Sequence, residues 1–295
     1  VHEALALCAA VWYGTPAGKL TVIGVTGTNG KTTTTYLVKQ LLEKTLSARV
    51  GLIGTNCNMI GGTIIPTDRT TPDALTVQRL LAQMADAGCA YVVMEVSSHA
   101  LMQRRTDGIR FRAGVFTNLT QDHLDVHGTM ENYYQAKKLL FDKCNLAICN
   151  INDDYGKRLY SEINCEKKTY GICGTADYYA DGVKIRASGS SFWFCHEEKS
   201  YLVESRMPGA FNVSNLTAAI AVCLNSGIEI DSIISSIKDY AGVKGRCEVI
   251  PTGRDFTVIC DYAHTPDAVE KVITAYNELK KGKVITIVGC GGDRD

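Results

Sequence analysis

Residues 20–33 read Leu-Thr-Val-Ile-Gly-Val-Thr-Gly-Thr-Asn-Gly-Lys-Thr-Thr. An apolar run ends in a glycine-rich turn with Gly30-Lys31-Thr32 at its tip. The pattern predicts a β-strand feeding a loop whose bare backbone N–H groups can wrap a polyphosphate. Lys31 is then within reach of the terminal phosphates, and Thr32 is placed to hold Mg²⁺. A helix over 31–45 presents its positive N-terminal end to the same anion. Gly27, Thr28, Asn29, Gly30, Lys31, Thr32 and Thr33 are therefore the expected cradle of a nucleoside triphosphate. The usual spacing asks for a glycine five positions before Gly30, where Val25 stands; the glycines fall instead at Gly24 and Gly27. A glycine-rich turn carrying a chance Lys-Thr is the alternative. Against it, both the preceding strand and the following helix are legible, which is the context the motif requires.

On either side of this loop, strand-like runs (20–26, 49–54, 90–97, 112–118, 146–151) alternate with helical ones (31–45, 72–88, 129–142). Such alternation predicts an α/β fold with a P-loop-type, mainly parallel sheet flanked by helices. Residues 177–206 turn into short alternating pieces broken by Gly-Ser, the signature of antiparallel hairpins at one edge. Helices are expected over 212–225 and 231–240. Beyond 243–248 come a strand (256–261), a helix (266–281) and a second strand (283–289), too little to bury its own apolar faces. These read as the start of a Rossmann-like second domain. The expected organisation is 1–18 as the end of a preceding domain or linker, 19–243 as the central nucleotide-binding domain, and 244–295 as a truncated C-terminal domain. The chain opens on Val1 without a methionine and reads as a fragment.

The chain has 295 residues, which fits about two domains. A formal net charge of zero, with no basic cluster, argues against nucleic acid as a partner. No apolar run is long enough to span a bilayer. Twelve cysteines include no Cys-x-x-Cys pair, and Cys89, Cys149, Cys260 and Cys290 sit in apolar stretches. Buried reduced thiols in a cytoplasmic protein are expected.

Further chemistry-bearing residues stand at strand ends, where open α/β sheets gather ligands. Glu95, closing an apolar strand in Met94-Glu95-Val96-Ser97-Ser98-His99, is either a magnesium ligand or a cap of the next helix. His123, within Thr117-Asn118-Leu119-Thr120-Gln121-Asp122-His123-Leu124-Asp125, serves metal or substrate, or is structural. On the helix around 133–141, Tyr133, Lys137 and Leu140 share one face, so Lys137 points to the core and Lys138 to solvent. From pattern alone, Lys137 is either a snorkelling side chain or a functional amine.

The loop 24–32, Glu-Val-Ser-Ser-His at 95–99, Asn-Leu-Thr-Gln-Asp-His-Leu-Asp at 118–125 and Asp-Tyr-Ala-His-Thr-Pro-Asp at 261–267 closely resemble the Mur ligase family. The resemblance runs from about Leu5 to Asp295. Thr-Thr-Pro-Asp-Ala at 70–74 and Ser-Ser-His-Ala-Leu-Met-Gln-Arg-Arg at 97–105 are similar to the tripeptide-forming branch of that family.

The resemblance implies an ATP-dependent, ADP-forming amide ligase of peptidoglycan precursor synthesis. Its substrates would be UDP-N-acetylmuramoyl-L-alanyl-D-glutamate and a diamino acid, meso-diaminopimelate before L-lysine, joined through an acyl phosphate. It implies catalytic roles for Lys31, His123 and Lys137, with Lys31 on the β/γ-phosphates. Thr32 and Glu95 would hold one Mg²⁺, and His123 and a CO₂-carbamylated Lys137 a second. A free lysine is only about 0.04% neutral at pH 7, and burial raises that fraction toward what carbamylation needs. Substrate contacts fall on Thr70, Thr71, Ser97, Gln103 and Arg105, whose fork suits a carboxylate. Asn212 and Asn215 fall near the adenine, or else cap the helix that starts there. Arg246 and His264 match nucleotide contacts from the hinge and second domain. A monomer is expected, inactive without the remaining domains. The competing readings are another ligase of the superfamily, such as a folylpolyglutamate synthetase, and a P-loop ATPase that does no ligation.

Overall fold

The computed structural model describes residues 1–172, 174–240 and 242–289. The first half runs α1 (His2–Trp12), β1 (Thr21–Thr26), α2 (Lys31–Leu46), β2 (Val50–Ile53), β3 (Asn58–Ile60), β4 (Thr63–Ile65), α3 (Ala74–Asp86) and β5 (Tyr91–Glu95). There follow α4 (Ser98–Met102), β6 (Phe111–Phe116), α5 (Leu124–His127), α6 (Met130–Lys138), β7 (Cys144–Asn150), α7 (Asp154–Glu162) and β8 (Glu166–Ile172). The last part comprises β9 (Tyr178–Arg186), β10 (Gly189–His196), β11 (Lys199–Ser205), α8 (Ala210–Leu224), α9 (Ile230–Ile237), β12 (Glu248–Ile250), β13 (Val258–Cys260) and α10 (Pro266–Leu279).

β1 to β11 form one sheet in the order β11-β10-β9-β8-β7-β6-β1-β5-β2-β3-β4. Its centre is parallel: β1 lies between β5 and β6, with Val25 level with Glu95 on one side and Val115 on the other. That register sets the ends of three strands side by side, where the loops carrying the expected site emerge. Alternation along the strands separates two cores. Ile23, Val25 and Val93 face a layer built by α2, α8 and α9, with Leu37, Leu41, Leu216 and Ile233. Val22, Val92 and Met94 face the other, with Leu80 and Leu81 of α3 and Tyr133 and Tyr134 of α6. Burial on both faces explains why these strands are continuous apolar runs.

The mainly parallel sheet is as the sequence implies, and so are the hairpins β9–β10–β11. The other edge is antiparallel too, through β2–β3–β4, which was not expected. Also unanticipated are α1, α4, α5, α7, β8 and β12. The helix expected from 72 starts at Ala74 because Asp73 caps it, accepting from Thr76 N. The strand expected over 283–289 is absent: the segment has no regular structure, Ile285 and Ile287 are exposed, and it pairs with no described strand. Cys89 and Cys149 are buried, but Cys260 is exposed on the two-stranded β12–β13 ladder. Cys290 and the Gly-Gly-Asp-Arg-Asp end lie outside the described residues. Among the described residues no helix is long and apolar enough to cross a membrane.

Candidate active site

The loop between β1 and α2 is fastened to the segment after β6. Thr28 N donates to Asn118 O at 2.9 Å, Asn29 N to Asn118 Oδ1 at 2.9 Å, and Thr117 Oγ1 to Asn29 O at 2.6 Å. Two glycines are required by this closeness. Gly27 has φ +146°, and a Cβ there would collide with the Thr117 hydroxyl. Gly30 has φ +87° as the N-cap of α2, and a Cβ there would sit 2.5 Å from Asn215 Oδ1. The displaced glycines thus answer local contacts: Gly27 makes room for the neighbouring loop, and Gly24 packs within β1 against Phe111.

Lys31 Nζ curls back over the loop and donates to Gly27 O and Thr28 O, both at 2.8 Å. Burial lowers its pKa, and the Arg246 charge adds to this, while Glu95 and Asp122 pull the other way. Thr32, one residue on, donates its hydroxyl to Glu95 Oε2 at 3.0 Å. Glu95 is fully buried at the end of β5, so an unsupported carboxylate would be costly there. Thr55, just past β2, supplies the support: its N–H donates to Oε1 at 2.8 Å and its hydroxyl to Oε2 at 3.0 Å. The helix-cap alternative for Glu95 fails, because Ser97 caps α4. The Thr32–Glu95–Thr55 set offers hard oxygen donors. Among the described residues there is no cluster of three or more His, Cys, Asp or Glu able to cage a metal alone. Such a donor set fits Mg²⁺ shared with phosphate oxygens and water.

Lys137 is 1% exposed on α6, with Nζ donating to Gly27 O at 2.8 Å and lying 4.5 Å above the Tyr133 ring. It does not snorkel. Burial puts its pKa well below the usual lysine value, and the nearby Lys31 charge lowers it further, against Asp122. Lys138, by contrast, reaches Glu162 at 2.7 Å near the surface. His123 caps α5 from a left-handed backbone (φ 55°), with Nε2 3.4 Å from Asp122 Oδ2. Its ring lies 6.2 Å from that of Tyr133, so His123 and Lys137 flank one aromatic ring.

A cleft of about 860 Å³ collects Thr28 to Thr33, Thr55, Thr70, Glu95 and His123 on one wall, and Arg246 and His264 on the other. Arg246 Nη2 donates to Thr32 Oγ1 at 3.0 Å, while its guanidinium lies 4.8 Å over Tyr262. His264 Nδ1 pairs with Tyr262 O at 2.8 Å. Asp267 closes the cleft by accepting from Asn29 Nδ2 at 3.1 Å. Asn212 and Asn215 line the same space on α8. They do not cap that helix, which begins at Ala210 with Gly209 before it; Asn212 Nδ2 instead donates to Pro208 O.

The expected substrate residues gather around β5. Thr71 is buried, its hydroxyl donating to Glu95 O and accepting from Ser97 N. Thr70 lies 3.0 Å from Thr55 Oγ1. Arg105 donates to Thr71 O at 2.7 Å and to Gln103 Oε1, so these residues form one connected patch beside the cleft. Sequence reasoning missed Thr55, Asn118, Tyr133 as a hub, and Asp267. Asn118 and Asp267 lay in stretches already singled out; Thr55 had no signal beyond its place after a strand.

The fold and this cleft define an α/β P-loop protein in which a second segment closes over the loop. The chain matches the Mur ligase middle domain over residues 25–223 and the Mur ligase glutamate ligase domain over 245–295, and it belongs to the Mur ligase family. Over its whole length it is 46% identical to UDP-N-acetylmuramoyl-L-alanyl-D-glutamate–2,6-diaminopimelate ligase 1 of Clostridium acetobutylicum and 43% identical to the corresponding ligase of Geobacillus kaustophilus. It spans 61% and 62% of those proteins. A solved structure of a UDP-N-acetylmuramoyl-L-alanyl-D-glutamate–2,6-diaminopimelate ligase superposes with a TM-score of 0.79 at 34% identity, over 94% of this chain and 57% of that one. The G51S mutant of L. casei FPGS superposes at 0.78 with 17% identity, over 96% of this chain and 77% of that one; this is a likeness of fold alone.

Proposed function

We propose that this chain carries the ATP-binding core of an ADP-forming amide ligase of peptidoglycan precursor synthesis. The carrying observation is the convergence of Lys31, the Thr32–Glu95 pair and buried Lys137 on one loop, faced by Arg246 across the cleft. The substrates are ATP, UDP-N-acetylmuramoyl-L-alanyl-D-glutamate and a diamino acid, with meso-diaminopimelate supported by the names of the relatives.

In this reading the γ-carboxylate of the D-glutamyl residue attacks the γ-phosphorus, forming an acyl phosphate and ADP. The diamino acid's amine attacks the acyl carbon, releasing phosphate and a proton and leaving the amide. Lys31 leaves Gly27 O for the β/γ-phosphates and offsets charge on the transferring group. Asn212, Asn215 and His264 surround the nucleoside, and Thr70, Thr71, Ser97, Gln103 and Arg105 orient the peptide carboxylates. Thr32 and Glu95 would hold one Mg²⁺, and His123 and Lys137 would serve a second. When bound, Mg²⁺ supplies charge neutralisation at the phosphates. Lys137 can serve it only as an anion: its neutral amine adds to CO₂, forming an N–C bond and losing a proton to solvent. Burial that disfavours the ammonium supports this.

Residues 1–18 lead in from a preceding segment, 19–243 form the nucleotide-binding domain and 244–295 begin a C-terminal ligase domain. The protein acts as a cytoplasmic monomer, and these residues alone do not catalyse ligation.

The test is phosphate release by the full-length gene product with ATP, the muramoyl dipeptide and either diaminopimelate or L-lysine. Release only with dipeptide and diaminopimelate together supports the reading. Release with a folate acceptor, or without any acceptor, would favour a folylpolyglutamate-type ligase or a plain ATPase.

A further inference from the structure

His127, the last residue of α5, is 4% exposed and has no place in the chemistry above. Its Nε2 lies 2.9 Å from Ser98 Oγ at the start of α4, directly after Ser97. Its ring packs on Tyr133 at 4.8 Å with a 31° tilt and meets His99 at 5.5 Å. Tyr133 in turn touches two parts of the site. Its hydroxyl is 3.2 Å from Thr28 Oγ1 on the phosphate loop, and its ring face carries Lys137 Nζ.

We propose that His127 is a positioning residue: anchored by Ser98, it fixes the Tyr133 ring, and Tyr133 sets both Thr28 and Lys137. Three separate stretches of chain, 97–98, 127–133 and 27–28, are registered through this one imidazole. A packing role alone does not account for it. His127 Nδ1 is buried with no hydrogen-bond partner among the described residues. An orphan of that kind is a desolvation cost that a phenylalanine packed on Tyr133 would avoid. What phenylalanine cannot do is hold Ser98, and with it the turn that follows Glu95.

The inference rests on the reading of Lys137 as a carbamate, so the test begins there. The full-length gene product is equilibrated with ¹³C-bicarbonate, and the carbamate carbon is followed by NMR beside steady-state kinetics. The parent shows the signal and Lys137→Ala lacks it. In His127→Ala the signal per folded molecule drops, kcat falls ~10- to 100-fold while KM for ATP stays within about threefold, and added bicarbonate restores part of the rate. Ser98→Ala, which removes no ring and keeps the fold if His127→Ala does not, shows the same pattern more weakly. A full carbamate signal in both variants overturns the proposal whatever the rates. A parent with no signal, matched by an active Lys137→Ala, overturns the carbamate reading itself and this inference with it.

Discussion

Lys31 and Lys137 donate to the same oxygen: each Nζ lies 2.8 Å from the carbonyl of Gly27. Lys137 is buried and Lys31 half-buried, and desolvation lowers both pKa values. One backbone carbonyl cannot offset two full charges in a medium of low dielectric, so the loop favours an arrangement in which one amine changes partner or charge. In the proposed reaction a polyphosphate would draw Lys31 away, and carbamylation would remove the charge of Lys137. The two events relieve the same crowding.

Replacing Lys31 with methionine keeps the chain length but removes the cation. Phosphate release by the full-length protein is expected to fall ~10³-fold, as for loss of one electrostatic group at a transferring phosphoryl. A rate within tenfold of the parent would refute the role.

Gly30→Ala forces a side chain onto a φ of +87° and against Asn215 Oδ1. A left-handed alanine costs roughly 1–2 kcal/mol before the clash is counted. Calorimetry should show ATP binding weakened by about tenfold or more, and melting a lowered midpoint. Adding Asn215→Ala should recover only the part of the lost melting midpoint that is due to the clash. Full recovery would mean that backbone strain is not the cause.

Arg246→Ala removes the bond to the Thr32 hydroxyl and the stack on Tyr262. KM for ATP should rise about tenfold, equivalent to ~1.4 kcal/mol. Arg246→Lys should recover little, since an ammonium lacks the planar fork. An unchanged KM in both would show that Arg246 does not face the nucleotide.

His127 is pushed down to about 4, first by burial and then by the charges of His99, Lys137 and His123. Its folded pKa lies below the unfolded value near 6.5, so between those pH values the unfolded chain binds the extra proton. Stability from this group is therefore present above about pH 6.5 and lost as pH falls toward 4, by ~2–4 kcal/mol in all. Denaturation from pH 7 to 4 should show a steeper decline for the parent than for His127→Phe. Parallel curves would contradict the shift.

The parallel core and the phosphate loop were legible because both carry local signals: apolar runs of strand length, and glycines where the backbone demands them. Lys137 was legible as inward-facing because helical spacing puts it beside Tyr133. The β3–β4 hairpin was missed although Gly61-Gly62 marks its turn, because three-residue strands give no periodicity to read. β8 opens with Glu166-Lys167-Lys168 and resembles a loop; it is a strand because β7 and β9 flank it. The segment 283–289 shows the reverse, a largely apolar run of strand length that pairs with no other described strand. Thr55 was invisible because its importance lies wholly in a carboxylate forty residues away. Sequence reports what a residue prefers, and these failures concern what it meets.

The central position of β1 also dictates an order of assembly. The strand that delivers the loop pairs with residues 91–95 and 113–116, and the loop's last fastenings, to Arg246 and Asp267, lie 214 and 238 positions downstream. Contacts so distant along the chain form late and slowly. During synthesis the glycine-rich segment emerges before β5 and β6, and β1 stays unpaired until residues 91–116 have followed it. Its polar, turn-rich composition keeps it soluble in that interval, whereas Val22, Ile23 and Val25 beside it are an exposed, sticky strand until β5 and β6 arrive. By their separation along the chain, the loop's ties to Arg246 and Asp267 are expected to close last, and defects in the sheet's middle strands should surface first as lost nucleotide binding.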